Sequence, residues 1–196
     1  MEWSILFAGP VGAGKTQAIC TISDIEVVGT EAAATDETAQ LKESTTVAMD
    51  MGVMHLDGGD KVRLYGAPGQ IRFDFMWDIL LEQARGLVLL IDHSRPDPVA
   101  DLEFYLKSLC ERMGNRPLPV VVGVTHLDLG GSYDLSPYRD SLLQHAAGAV
   151  GGVFPVLEVD ARSPRDVKTL LLALTSMLEM SERFPSRAGA GKGLHA

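Results

Sequence analysis

Apolar residues occur along the chain in two alternating arrangements, short runs rich in β-branched residues and longer stretches with helical spacing. The short runs predict six strands, namely WSILFAG (3–9), VAMDMGVMHL (47–56), KVRLYG (61–66), GLVLLID (86–92), PVVVGV (119–124) and VFPVLEVD (153–160). The second and third runs should form a hairpin through the turn sequence DGGD at 57–60. Strands that alternate with helices are typical of a parallel sheet with crossover helices, so the pattern predicts an α/β fold.

Two of the helical stretches carry their own start signals. Asp97 and Pro98 precede the first stretch as N-cap and first helical residue, and Ser163 and Pro164 do the same for the second. Each stretch places its apolar residues on one face, which we expect to be core. These residues are Leu102, Tyr105, Leu106 and Leu109 in the first stretch, and Val167, Leu170, Leu171, Leu174 and Leu178 in the second.

Composition and charge narrow the possible partners. A chain of 196 residues with 46% hydrophobic content is expected to form one domain, here 1–184, followed by a glycine-rich, disordered tail at 185–196. Its 17 basic and 26 acidic residues give a net charge of −9, which disfavours nucleic acid and anionic membranes. We find no signal peptide or spanning segment and expect a cytoplasmic protein without direct membrane insertion.

Cys20 and Cys110 fall in helical patterns and are expected to be reduced, buried thiols.

The segment GPVGAGKT at 9–16 stands between the first strand and a helix. It matches the pattern GxxxxGK[ST] in the context that a phosphate-binding loop requires. The loop N–H groups and the helix N-terminus would surround a β-phosphate, Lys15 would bridge the β- and γ-phosphates, and Thr16 would bind Mg²⁺. The segment therefore predicts a nucleotide site without choosing between ATP and GTP, held by Gly9, Gly12, Ala13, Gly14, Lys15, Thr16 and Gln17.

Four further motifs follow in order: a threonine pair at 45–46 before the second strand, GAPGQ at 66–70, VTHLD at 124–128 and VDAR at 159–162. Over residues 3 to about 180 this order and spacing resemble the Ras-like small GTPases. The glycine at 66, the proline at 68 and the strand TVAMDMG resemble the bacterial MglA-like branch. The resemblance implies a three-layer α-β-α P-loop NTPase fold, with a six-stranded, mostly parallel sheet and one antiparallel strand. It also implies an enzyme that hydrolyses GTP to GDP with Mg²⁺ as a molecular switch, paired with a roadblock/LC7-type regulator.

The same resemblance implies how a base would be read. Asp128 would accept hydrogen bonds from N1 and the 2-amino group of guanine, the Ala161 N–H would donate to O6, and Arg162 would cover the base. Thr125 and His126 depart from the usual Asn-Lys-x-Asp pattern of the family, although they occupy its positions. Alternatively, Asp128 only terminates a strand and has no contact with a base.

The switch residues are also implied by the resemblance. Gly69 would donate its N–H to the γ-phosphate and Gln70 would orient the attacking water, so that Lys15, Gly69 and Gln70 form the expected catalytic set. Thr46 would close over the metal when GTP is present, with Thr45 as the alternative. The switch regions would be 23–46 and 66–83. The second contains an aromatic group that could anchor a partner, although some of its members must be core; it is made up of Phe73, Phe75, Met76 and Trp77.

One expected carboxylate is missing, because Gly66 stands where the family has the switch II aspartate. Asp50, in the strand expected to pair with KVRLYG, could direct its carboxylate to the same metal water. We therefore predict Thr16, Thr46 and Asp50 as the metal residues. The alternative for Asp50 is a charge on the strand surface.

Two features predict slow hydrolysis. The side chain of Val11 would crowd the space shared by Gln70 and an arginine finger, and no arginine precedes Thr46. The first alternative is a scaffold that binds nucleotide without turnover and recruits partners. The second is an ATP-specific P-loop protein.

Overall fold

The computed structural model describes residues 2–29, 49–56, 58–69, 74–114, 116, 118–129, 134–146 and 154–183. Its strands are β1 Glu2–Ala8, β2 Val28–Gly29, β3 Asp50–His55, β4 Lys61–Gly66, β5 Gly86–Asp92, β6 Val120–Thr125 and β7 Val156–Glu158. Its α-helices are α1 Lys15–Ile22, α2 Asp74–Gln83, α3 Pro98–Met113, α4 Ser136–Ala146 and α5 Pro164–Arg183, with a short 3-10 helix at Leu127–Leu129.

The strands form one sheet in the order β2-β3-β4-β1-β5-β6-β7. β3 runs antiparallel to β2 and β4, and the remaining pairs are parallel. The predicted α/β sheet with one antiparallel strand is therefore confirmed. β2 adds a short edge strand that the sequence did not predict, since two residues are too few to show a hydrophobic period.

Helices cover both faces of the sheet and make the three layers. Buried residues of α2, α3 and α4 pack on one face, and those of α1 and α5 pack on the other. The predicted apolar faces of α3 and α5 are buried throughout. The predicted cap of α3 is also present, because Asp97 Oδ1 accepts a hydrogen bond from the Ala100 N–H at 3.0 Å.

The prediction that both thiols are buried was wrong. Cys20 is exposed and Cys110 is partly exposed, and both are free thiols. Cys20 lies away from the core because α1 buries Ala18, Ile19 and Ile22 instead. Trp77 is 5% exposed, so it is one of the residues of the aromatic group that belong to the core, as expected for some of them.

The connectivity determines where a site can form. β1 lies between β4 and β5, so the chain leaves β1 to one side of the sheet and later returns on its other side. Ligands of open α/β sheets bind at the carboxyl ends of the strands beside such a reversal. Within the described residues, no helix has the length and apolar character needed to cross a membrane.

Candidate functional site

The loop from Gly9 to Thr16 connects β1 to α1, which begins at Lys15. Gly9 has φ 133°, and a Cβ at this position would lie 2.0 Å from the carbonyl oxygen of Leu90. The backbone therefore passes so close to β5 that only glycine fits. This contact holds the start of the loop at the carboxyl edge of the sheet.

Lys15 extends back along the loop and is 8% exposed. Its Nζ donates hydrogen bonds to the carbonyl oxygens of Gly9 at 2.9 Å and Pro10 at 2.7 Å. Burial lowers the pKa of Lys15 to about 8, and the charge of Asp50 acts in the opposite direction. The ammonium is thus poorly solvated, and a phosphate placed beside it would favour its charged form.

Thr16 and Asp50 form a contact between the loop and β3. The Thr16 hydroxyl donates to Asp50 Oδ2 at 2.5 Å. Asp50 pairs in register with Gly66 of β4, and a Cβ at Gly66 would lie 3.0 Å from the same carboxylate oxygen. The carboxylate of Asp50 therefore packs over the position where Gly66 has no side chain.

This pair could hold a divalent cation together with a bound nucleotide. A hydroxyl and a carboxylate are hard oxygen donors, and Mg²⁺ is commonly held by one or two carboxylates together with phosphates. No group of three or more His, Cys, Asp and Glu side chains suited to a metal occurs in the described part of the chain. The protein donors therefore fit Mg²⁺ in the presence of a nucleotide.

A cavity of about 510 Å³ opens beside the loop. It lies between the loop, the end of β6 and the segment after β7, and its lining includes Gly14, Gln17, Thr125, His126, Asp128, Asp160, Ala161 and Arg162. The Thr125 hydroxyl lies 3.2 Å from the carbonyl oxygen of Ala13. The Thr21 hydroxyl donates to the carbonyl oxygen of Ala161 at 2.8 Å. These bonds fix both walls of the cavity to the loop and α1.

Arg162 joins two carboxylates in this cavity. Its Nη2 donates to Asp128 Oδ2 at 3.1 Å, and its Nε donates to Asp160 Oδ1 at 2.8 Å. The side-chain hydrogen bond with Arg162 lowers the pKa of Asp160, and the pKa of Arg162 is raised in turn. Because the side chains of Arg162 and Asp128 are 66% and 56% exposed, this ion pair contributes little to stability and can open for a ligand.

Gly69 lies against the opposite side of the loop. A Cβ on Gly69 would be 2.7 Å from the backbone nitrogen of Val11 and 3.0 Å from Lys15 Nζ. The glycine of GAPGQ is thus in close contact with the phosphate loop. Val11 itself points outward and is 58% exposed.

A family model described as "Conserved hypothetical ATP binding protein" matches residues 20–179 of the chain. The chain belongs to this family. The match and the loop geometry agree on a nucleotide-binding P-loop protein, although the matched range begins after the loop itself. The family match does not extend to the Ras-like or MglA-like branch. No curated protein matches the chain in sequence.

Most of the site residues predicted for this protein lie together at the carboxyl edge of the sheet. The loop residues, Asp50 and Gly69 form one half of the site, and the cavity residues from 125 to 162 form the other. Thr45, Thr46, Gln70 and the tail at 185–196 lie outside the described residues. Their roles remain predictions.

Asp92, which ends β5 and is 9% exposed, was not among the predicted site residues. Its Oδ1 accepts from the N–H and hydroxyl of Ser94 at 2.9 and 2.6 Å and lies 3.2 Å from Nδ1 of His126. His126 has φ 58°, a left-handed conformation that is uncommon for a residue other than glycine. The available signal was the acidic end of the otherwise apolar run GLVLLID, because a carboxylate is seldom buried without a partner.

Proposed function

We propose that this P-loop protein is a guanine-nucleotide switch that hydrolyses GTP slowly with Mg²⁺. The observation that carries the proposal is the carboxylate of Asp128 in the cavity beside the phosphate loop. Guanine presents two neighbouring donors, N1–H and the 2-amino group, which match the two oxygens of a carboxylate. The corresponding edge of adenine has no such pair of donors. A site of this type can discriminate between bases by about 10⁴- to 10⁵-fold.

The residues around the cavity support the same role. Ala161 lies at its wall, so its N–H could donate to guanine O6, and Arg162 could cover the base after it leaves Asp128. His126 would take the place of the usual lysine. A base in this position would direct its phosphates toward Lys15 and the N-terminus of α1.

Thr16 and Asp50 are the proposed metal residues that the structure describes, and Thr46 would join them in the GTP state. Bound Mg²⁺ would offset the charge of the β- and γ-phosphates. The hydrogen bond between Thr16 and Asp50 supports the hypothesis that Asp50 supplies the carboxylate that Gly66 lacks. Asp50 would act as a positioning residue for the metal and its water.

Hydrolysis would use Gln70 to orient water and Gly69 to contact the γ-phosphate. The contact of Gly69 with the loop supports this arrangement. The exposed side chain of Val11 would hinder an arginine finger, so the intrinsic rate would be low and a partner would raise it. By resemblance, the proposed partner is a roadblock/LC7-type regulator that contacts the switch regions.

A second candidate is an ATP-binding protein, which the description of the family favours. Displacement of fluorescent GDP by unlabelled GDP, GTP and ATP, with and without Mg²⁺, separates the two. We expect displacement by guanine nucleotides at concentrations at which ATP has no effect. Equal or better displacement by ATP would overturn the guanine assignment.

Turnover requires its own measurement. Single-turnover release of phosphate from GTP should be slow in the wild-type protein and slower in Gln70→Leu, and a regulator should accelerate only the wild-type reaction. Guanine-selective binding without any Gln70-dependent release would instead support the non-hydrolysing scaffold.

A further inference from the structure

Gly69 is restrained on two sides. On one side its Cα packs against Val11 and Lys15 of the phosphate loop, too closely for any side chain. On the other side its carbonyl oxygen accepts a hydrogen bond from the hydroxyl of Tyr105, at 3.2 Å. Tyr105 belongs to α3, which carries none of the loop, metal or base residues proposed above.

The Tyr105 hydroxyl is well suited to a lasting contact. The residue is 7% exposed, and burial raises the pKa of its phenol to about 12. The hydroxyl therefore keeps its proton and remains a donor at neutral pH. Moving the acceptor away from a buried donor of this kind costs free energy. The hydrogen bond therefore favours one position of Gly69.

The ring of Tyr105 is fixed by its aromatic neighbours. The ring of Trp77 on α2 lies with its centroid 5.7 Å away, tilted by 37°. Phe104 packs edge-on, with a centroid distance of 5.4 Å. Trp77 is itself buried in the core. The hydroxyl is thus held by two helices rather than by a mobile surface side chain.

The backbone of Gly69 needs such a restraint. A glycine can adopt more backbone conformations than any other residue, so ordering it costs more entropy. The carbonyl that Tyr105 binds belongs to the peptide that joins Gly69 to Gln70. Fixing this carbonyl restrains the backbone of Gly69, the residue proposed to contact the γ-phosphate.

We propose that Tyr105 is a positioning residue that holds the backbone of Gly69 against the phosphate loop, where its N–H can contact a γ-phosphate, and couples it to Trp77. This inference rests on the proposed nucleotide switch. Tyr105 lies outside the five nucleotide motifs, and its proposed effect is on the γ-phosphate, which GTP and ATP share. Its test is therefore independent of which base the cavity prefers.

The experiment uses Tyr105→Phe, which keeps the ring and removes only the hydroxyl. It is made in a Trp3→Phe background, because the chain has two tryptophans and this change leaves Trp77 as the single emitter. Affinities for the diphosphate and for a non-hydrolysable triphosphate of the preferred base are measured with Mg²⁺. We expect diphosphate affinity within about twofold of the parent and triphosphate affinity lowered about three- to tenfold, the effect of one hydrogen bond. The difference in Trp77 emission between the two nucleotide states should shrink as well.

Tyr138→Phe is the matched control. Tyr138 is 1% exposed, and its hydroxyl lies 2.7 Å from His93 Nδ1 rather than from Gly69. This variant should lose comparable stability, measured by thermal unfolding, while its triphosphate-to-diphosphate affinity ratio stays unchanged.

The possible results distinguish failure of the positioning role of Tyr105 from failure of the proposed nucleotide switch. If Tyr105→Phe weakens both nucleotides equally, or if its affinity ratio and emission match those of the parent, the positioning role is overturned. If the parent protein distinguishes the two nucleotides neither in affinity nor in emission, the switch itself fails, and the inference fails with it. Adenine preference with an intact Tyr105 effect would overturn only the guanine assignment.

Discussion

The hydroxyl of Thr16 donates a hydrogen bond to Asp50 Oδ2 at 2.5 Å, which joins the first turn of α1 to the start of β3. Asp50 stands directly opposite Gly66, and its carboxylate fills the space left by the missing side chain. A carboxylate from the antiparallel strand thus reaches the loop threonine, although the neighbouring parallel strand supplies none. This geometry supports Asp50 as the residue that compensates for Gly66.

The first prediction concerns Asp50→Asn, which keeps the size of the side chain and removes its charge. We expect release of fluorescent GDP in Mg²⁺ to accelerate by about 10- to 100-fold, the usual effect of losing a group that orients a metal site. Release in EDTA should change little, because the contact with Thr16 can persist. An unchanged ratio of the rates in Mg²⁺ and EDTA would show that Asp50 has no part in metal binding.

Two further variants sharpen this test. Asp60→Asn makes the same chemical change at the other end of the hairpin, just before β4, and should leave release unchanged. The exchange Asp50→Gly with Gly66→Asp returns a carboxylate to β4 and removes the side chain that would collide with it. Recovery of slow release in this double variant would show that the site needs the charge rather than the strand of origin.

The contact between Asp50 and Gly66 could be predicted because hairpin register is a local property. The turn at 57–60 pairs His55 with Lys61, and counting five residues outward from both gives Asp50 opposite Gly66. The core strands and the faces of α3 and α5 were predictable for a similar reason, since burial leaves a periodic signal in the sequence.

Other parts of the site have no local signal. The tyrosine at 105 fits the apolar stripe of α3, and nothing in the sequence shows that its hydroxyl reaches Gly69. The ion pair between Arg162 and Asp128 joins residues 34 positions apart, and it depends on how the loops after β6 and β7 meet. Such contacts follow from tertiary packing, which single-residue patterns do not encode.

The lowered pKa of Lys15 predicts a pH-dependent affinity. In the nucleotide-free protein burial disfavours the ammonium and lowers the pKa to about 8, whereas phosphates would raise it again. Above pH 8 binding must therefore take up a proton, and affinity should fall by up to about tenfold per pH unit. The phosphates have a second pKa of about 6 and contribute nothing in this range.

Calorimetry at pH 8.5 in two buffers of different ionisation enthalpy measures this proton uptake directly. The wild-type protein should take up a substantial fraction of one proton. Lys15→Met should bind weakly and take up none. Equal apparent binding enthalpies for the wild-type protein in both buffers would contradict the lowered pKa.

Replacing Gly9 by alanine is expected to cause a large loss of stability. In Gly9→Ala the new atom would lie 2.0 Å from the carbonyl oxygen of Leu90, so either the loop or β5 must move. We expect a loss of about 1–2 kcal/mol from backbone strain and a further loss of about 1–3 kcal/mol from overpacking. Urea unfolding of the nucleotide-free protein measures the sum.

Gly58→Ala separates the two contributions. Gly58 has φ 88°, and nothing lies within 4 Å of its added Cβ, so this variant should show the strain alone. If both variants lost the same stability, the close approach of the loop to β5 would not be a constraint on residue 9.

The last prediction tests whether Asp128 contacts the base. Asp128→Asn replaces one acceptor oxygen with an amino donor, which no longer matches the 2-amino group of guanine but does match the 2-carbonyl of xanthine. Guanine affinity should fall at least about 100-fold, below the 10⁴- to 10⁵-fold that such sites can supply at most, and xanthine affinity should rise. Stability should change by less than about 0.5 kcal/mol, because the side chain is exposed.

Asp160→Asn is the control, since Asp160 shares Arg162 as a partner and lines the same cavity. It should retain the preference for guanine over xanthine. A loss of guanine binding in Asp128→Asn without any gain for xanthine would mean that Asp128 supports the cavity but does not contact the base.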